Sequence, residues 1–139
     1  TREKFFATKC DIFIPAALEM QIDVEEAQSM DCRVVVEGAN GPCTYEGERV
    51  LLERGIDVIP DILCNAGGVV VSYFEWVQNK RSERWSADEI DQRLHTMITS
   101  SYRKLRTYAR THGCTNRIAG IALAASRVER VYLSRGIFP

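Results

Sequence analysis

Two asparagines and one serine could do chemistry by their type and by the residues around them. Asn40 lies in "EGANGP" (37–42), Asn65 in "CNAGG" (64–68), and Ser72 interrupts the apolar run "VVVSYF" (69–74). A side-chain amide donates and accepts at once, so each asparagine suits a ribose hydroxyl or a carboxamide. Asparagine is equally a turn residue, which caps helices and tolerates left-handed backbone. The neighbours are small. Ala16, Ala17, Gly38, Ala39, Gly67 and Gly68 leave backbone open to a flat ligand that must approach closely.

On a helix capped by Asn65, Val69 comes four residues on and Ser72 seven, with Trp76 four beyond. These positions share one stripe of a 3.6-residue helix. Ser72 then lies about 10 Å along the axis from Asn65. One face carries an amide at its mouth, an apolar wall and a hydroxyl two turns down. Val70, Phe74 and Val77 have ordinary core spacing on the other face. Ser72 also has the option of bonding back to its own helix. The helix start would add free N–H groups and a positive dipole end.

Three short strands must position these groups. "CDIFIPA" (10–16) is an apolar run closed by proline, "CRVVVEG" (32–38) is β-branched and continuous, and "IDVIPDI" (56–62) ends again at proline. Between them, "DVEE" (23–26) has a capping-box pattern. Thr44 is the expected N-cap of a helix that stops at Gly55. Alternating strand and helix predict a parallel sheet with right-handed crossovers. The strands' lack of polar alternation predicts helices on both faces. Ligands of such sheets bind beyond the carboxyl ends of the strands. If the strands are neighbours, segments 15–17, 37–42 and 60–68 converge on one rim.

The remaining sequence is helical. Ser86 and Glu89 form a second capping box, opening an amphipathic helix with Ile90, Leu94, Met97, Ile98, Leu105 and Tyr108 on its stripe. "HGC" (112–114) breaks it. A last helix places Ile118, Ile121, Ala122, Ala125, Val128 and Tyr132 on one face and ends at Gly136. Both stripes read as core.

Bulk properties exclude several classes. The 139 residues carry 18 basic and 19 acidic side chains, interleaved, for a net charge of −1. A nucleic-acid footprint needs a clustered basic face, so no nucleic-acid partner is expected. No apolar run approaches the roughly 20 residues of a membrane span, and the opening "TREKFFATKC" is not expected to be a signal peptide. Five cysteines without CxxC spacing suggest reduced thiols in a cytoplasmic protein. His95 and His112 fall in polar helical stretches with no second ligand at metal spacing, so no metal is expected. The charged start runs straight into "CDIFIPAA", which suggests part of a larger protein.

"CDIFIPAALE", "VVVEGANGP", "LLERGIDVIPDILCNAGGVVVSYFEWVQN" and "RVERVYLSRG" resemble the C-terminal part of glutamate dehydrogenases, in the Glu/Leu/Phe/Val amino-acid dehydrogenase superfamily. The resemblance covers about Cys10 to Gly136. It implies a partial Rossmann-like α/β fold: the second half of a dinucleotide-binding domain (1–80), followed by a C-terminal helical segment (81–139). It implies reversible oxidative deamination of L-glutamate to 2-oxoglutarate and ammonia, with NAD or NADP as cofactor, in a homo-hexamer. It further implies that Asn40 and Asn65 contact the nicotinamide-ribose end and that Ala16 and Ala17 line the dinucleotide's path. Val69 and Ser72 would touch the substrate, Ser72 at its side-chain carboxylate. Where the family typically reads Thr-Thr-Pro-Glu-Ala after GANGP, this chain has Cys43, Thr44, Tyr45, Glu46 and Gly47, and Gly47 is expected to weaken its helix. Asn116 and Arg117 stand where Leu-Arg is common.

No GxGxxG loop is present. The only lysines are Lys4, Lys9, Lys80 and Lys104, none in the glycine-rich setting of the family's catalytic lysines. The expectation is an inactive fragment of an active enzyme, with no catalytic residue in this chain. A non-catalytic nucleotide-binding or assembly module and a branched-chain amino-acid dehydrogenase are the alternatives.

Overall fold

A computed structural model describes residues 1–136. Its centre is a three-stranded parallel sheet in the order β1 (Ile12–Phe13), β2 (Val34–Val36), β3 (Asp57–Ile59). The register pairs Ile12 with Val34 and Val34 with Asp57. The strands are shorter than the apolar runs. Ladder-like bonds continue past them, as from Glu37 N–H to Ile59 O at 3.1 Å, until proline and the rim loops take over.

Helix α1 (Arg2–Phe6) was not expected; it drops Phe6 into the core beside Phe13. The other early helices start where their caps dictate. In α2 (Val24–Ser29) Asp23 and Glu26 complete the capping box. In α3 (Tyr45–Glu53) the Thr44 hydroxyl accepts from Gly47 N–H, and the chain turns out at Gly55 with φ +77°. These helices cover one sheet face, where Val35 and Val58 meet Met30, Ala27 and Leu51.

Gly47 has a packing role beside its expected cost to the helix. A Cβ there would stand 2.3 Å from the Ile22 carbonyl oxygen. The glycine is the contact that lets α3 lie against segment 22–23, so its helix-weakening effect is outweighed by close packing.

After β3 come a single turn, α4 (Asp61–Cys64), then α5 (Gly67–Arg81), α6 (Ala87–His112) and α7 (Asn116–Arg135). Ser86 and Glu89 close their capping box, and Gly113 ends α6 in a left-handed conformation. Leu105 and Ala109 of α6, Ala119 of α7 and Leu63 of α4 form a second core against Ile59. That core covers the second sheet face at β3 only. At β1, Ile12 and Ile14 stay exposed, so the expected burial of the sheet on both faces holds for one side of it.

The expected core face of α7 is also corrected. Ile118 is 54% and Val128 69% exposed, while Ala119 is fully buried. The helix turns its small side inward, where a Cβ on Gly120 would sit 3.2 Å from Ile62 and 3.4 Å from Leu105. Leu123 packs against the second core, and the other large apolar residues, from Ile118 and Ile121 to Val128, Val131 and Leu133, face outward. Among the described residues no helix is long and apolar enough to cross a membrane.

Candidate functional site

Because the three strands are parallel neighbours, their carboxyl ends do share one rim. There a cleft of about 800 Å³ opens between the loop after β1, the loop after β2 and the start of α5. Ala17, Asn40, Asn65, Val69 and Ser72 all line it. Ala16 does not. It backs the cleft, its Cβ 3.1 Å from where a Gly38 side chain would begin, and its own open side lies on the apolar groove beside Phe13. A side chain at Gly38 would therefore press tightly on Ala16, and Ala39 N–H bonds to Pro15 O at 2.8 Å, so the first two loops are laced together.

Asn65 is not the N-cap of α5. Pro60 and Asp61 start the turn α4, which leaves Asn65 as that turn's C-cap; Ala66, at φ −63° and ψ −15°, then leads almost continuously into α5. The amide of Asn65 is thereby free to bond sideways. Its Nδ2 donates to Asn40 Oδ1 at 2.6 Å, joining the two loops across the mouth of the cleft. Val69, 74% exposed, and Ser72 stand along one wall, while Phe74 is buried on the opposite side of α5. The two glycines divide their work. A Cβ on Gly68 would meet nothing within 4 Å, and its open space belongs to the cleft. Gly67 instead faces α6, at 4.0 Å from Leu94. Trp76, expected on the same stripe, stacks on Tyr73 further along the helix.

Beneath the rim lies a charge cluster that the motifs did not reveal. Arg117, in the first turn of α7, donates to three carboxylates: Glu37 Oε2 at 2.6 Å, Asp61 Oδ1 at 3.0 Å and Glu48 Oε2. Glu37 is wholly buried; its Oε2 also accepts from Asp61 N–H at 2.9 Å, and its Oε1 has no partner among the described residues. Asp61 Oδ2 accepts from Gly41 N–H at 2.8 Å. Burial alone would raise the Asp61 carboxyl, but the Gly41 and Ile62 N–H groups and Arg117 hold it below the usual range. Two signals could have found the cluster. A glutamate ending a β-branched buried strand requires a partner. An arginine in the first turn of a helix opposes the dipole unless anions hold it.

Neighbouring thiols are quiet. Burial, with the Glu37 and Glu48 charges, pushes the Cys43 thiol far up. Burial pushes Cys64 up to about 11. A second cluster ties α6 and α7 to β3: Arg106 Nη1 and Asn116 Nδ2 both bond to Asp57 Oδ1, at 2.9 and 3.0 Å, and Asn116 reaches Val58 O at 2.8 Å. The two positions where Asn-Arg replaces the common pair are thus both in use. His95 and His112 are exposed, and among the described residues no group of metal-binding side chains is assembled.

Comparison with known proteins gives a consistent result. The family model described as Glutamate/Leucine/Phenylalanine/Valine dehydrogenase matches residues 1–136. The chain is 42% identical over 140 residues to an NADP-specific glutamate dehydrogenase of Halobacterium salinarum, covering 100% of this chain and 34% of the relative. It is 38% identical over 136 residues to a cryptic catabolic NAD-specific glutamate dehydrogenase of Bacillus subtilis, covering 98% and 32%. Among solved structures, the hetero-hexameric glutamate dehydrogenase of Thermus thermophilus in its Leu-bound form superposes with a TM-score of 0.93 at 32% identity, over 100% of this chain and 33% of that one. The glutamate dehydrogenase of Peptoniphilus asaccharolyticus gives 0.85 at 38% identity, over 90% and 32%. The chain spans about a third of the length of these relatives.

Proposed function

The chain belongs to the Glutamate/Leucine/Phenylalanine/Valine dehydrogenase family, and from that premise we propose that it builds the nicotinamide-side wall of an NAD(P)-dependent glutamate dehydrogenase. The observation that carries this reading is the meeting of Asn40, Asn65, Val69 and Ser72 on one cleft at the carboxyl rim of a parallel sheet.

The residues present suit a dinucleotide. Gly38 and Gly68 keep the floor and wall free of side chains, and the asparagine pair offers donors and acceptors at the mouth. When bound, NAD or NADP supplies the hydride acceptor. In this reading Asn40 and Asn65 hold the carboxamide and ribose, and Ala17 lines the path, with Ala16 behind it. Val69 meets the substrate along the apolar wall. Ser72 donates its hydroxyl to the side-chain carboxylate of L-glutamate or 2-oxoglutarate. The chemistry of proton removal is assigned to lysines outside this chain, so the division at about residue 80 separates a cofactor wall from a helical support. Purified alone, the chain should give no glutamate-dependent reduction of NAD or NADP.

The outward apolar face of α7 supports assembly into an oligomer, six subunits by analogy with the hexameric Thermus relative. The five free cysteines support a cytoplasmic, reducing setting. The interleaved charge supports the absence of a nucleic-acid partner.

The test is Ser72→Ala in the full-length protein, with glutamate and leucine compared as substrates. A hydrogen bond to a charged group is worth about 1.5–3 kcal/mol, so kcat/KM for glutamate should fall roughly 10- to 150-fold while any leucine activity holds. Equal losses on both substrates would remove Ser72 from the carboxylate site. Failure of the full-length protein to oxidise glutamate with either cofactor would remove the function itself.

A further inference from the structure

We propose that Arg117 is the positioning residue of the cofactor rim: one guanidinium on α7 fixes the loops after β2 and β3 at the separation that makes the Asn40–Asn65 pair. This rests on reading the cleft as the cofactor site. The three donors of Arg117 go to three different elements, the end of β2 through Glu37, α3 through Glu48 and α4 through Asp61. Asp61 then passes the constraint on in both directions. Its Oδ2 holds Gly41 N–H, the residue after Asn40, and its backbone carbonyl accepts from Asn65 N–H at 3.1 Å. Each asparagine is thus one covalent or hydrogen-bonded step from a group that Arg117 or Asp61 grips.

A cluster of this kind is a poor device for stability alone. Desolvating one cation and three carboxylates is expensive, and apolar replacements of buried ion pairs are often as stable or more so. What an apolar cluster would not supply is direction. The planar fork fixes three acceptors at set angles, and a lysine in its place would be a single mobile point charge. Without the fork, Glu37, Glu48 and Asp61 would repel one another, and the Gly41 and Asp61 N–H bonds would be left to hold the two loops against that repulsion.

Arg117→Lys in the full-length protein tests this. The dissociation constants of NADH and NADPH, read from their fluorescence, should rise about tenfold for the cofactor the enzyme uses. The KM for glutamate at saturating cofactor should move less than threefold, because Val69 and Ser72 ride on α5. Amide exchange should quicken at least tenfold in both 37–42 and 60–66 and stay unchanged along α5. Asp61→Asn should act in the same direction, and the double variant should be no worse than the worse single one, since both interrupt one path. A folded Arg117→Lys protein with cofactor affinity within twofold of the parent, or additive losses, would overturn the proposal. If Arg117→Lys does not fold, Asp61→Asn decides, and unaltered affinity there overturns it. A parent that binds neither cofactor would defeat the functional reading, and exchange at the two loops would still decide the role of Arg117.

Discussion

Gly47→Ala should destabilise the region around α3 by about 2 kcal/mol, although helix propensity alone argues the reverse. Alanine in place of glycine favours a helix by up to about 1 kcal/mol. Here the new Cβ would start 2.3 Å from Ile22 O and 3.1 Å from Asp23 Cα, both backbone atoms. Reaching ordinary contact means moving the first turn of α3 by about 1 Å. That shift strains the Thr44 N–H bond to Ile22 O (3.0 Å) and the Thr44 hydroxyl bond to Asp23 (2.8 Å). Overpacking costs about 1–3 kcal/mol and a weakened hydrogen bond about 1 more, which leaves a net loss of about 2 after the propensity gain. Amide exchange over residues 22–53 should therefore run about 30-fold faster than in the parent. Gly120→Ala is the control. There the Cβ meets only the side-chain methyls of Ile62 and Leu105, at 3.2 and 3.4 Å, which can swing aside. Its exchange should stay within about threefold of the parent, because a comparable propensity gain offsets the squeeze. Exchange in Gly47→Ala as slow as in the parent would refute the clash.

Two further outcomes follow from the titrating groups. The Asp61 carboxylate binds a proton less readily folded than unfolded, so its contribution to stability is complete above the unfolded Asp value of about 3.9 and is lost as pH falls through the lower folded value. Thermal melts of Asp61→Asn should accordingly change less between about pH 5 and 3 than those of the parent, and parallel curves would contradict this. Cys64, raised to about 11, and Cys43, raised further, should remain thiols at pH 8. Brief iodoacetamide treatment of the native protein, followed by mass spectrometry, should leave both unmodified, and labelling at either would count against their burial.

The sequence made the alternation of strand and helix and the caps legible because those are local matters. Asp23–Glu26, Thr44 and Ser86–Glu89 each satisfy helix N–H groups within a few residues, and the structure uses all three. The gathering of Asn40, Asn65, Val69 and Ser72 was legible for a different reason: a parallel sheet brings the ends of its strands to one rim whatever the loops contain. Contacts fixed at long range stayed hidden. The pairing of Glu37 with Arg117 spans 80 residues, and no pattern in either segment names the other. The outward turn of α7 was hidden too, since its stripe satisfies core spacing while the small residues beside it pack more closely. Asn65 was misplaced because a one-turn helix such as α4 leaves no periodic signal.

The bond between Asn65 and Asn40 shifts an entropic charge from one event to another. Freezing a flexible polar side chain at an interface typically costs about 0.5–1.5 kcal/mol when it happens on binding. In this chain both amides are already held at 2.6 Å, so their rotamers are chosen during folding. A ligand that uses their remaining donors and acceptors meets a preorganised pair. Spared the ordering of two side chains, such a ligand would gain on the order of a tenfold advantage in affinity, and that gain would come from no contact of its own.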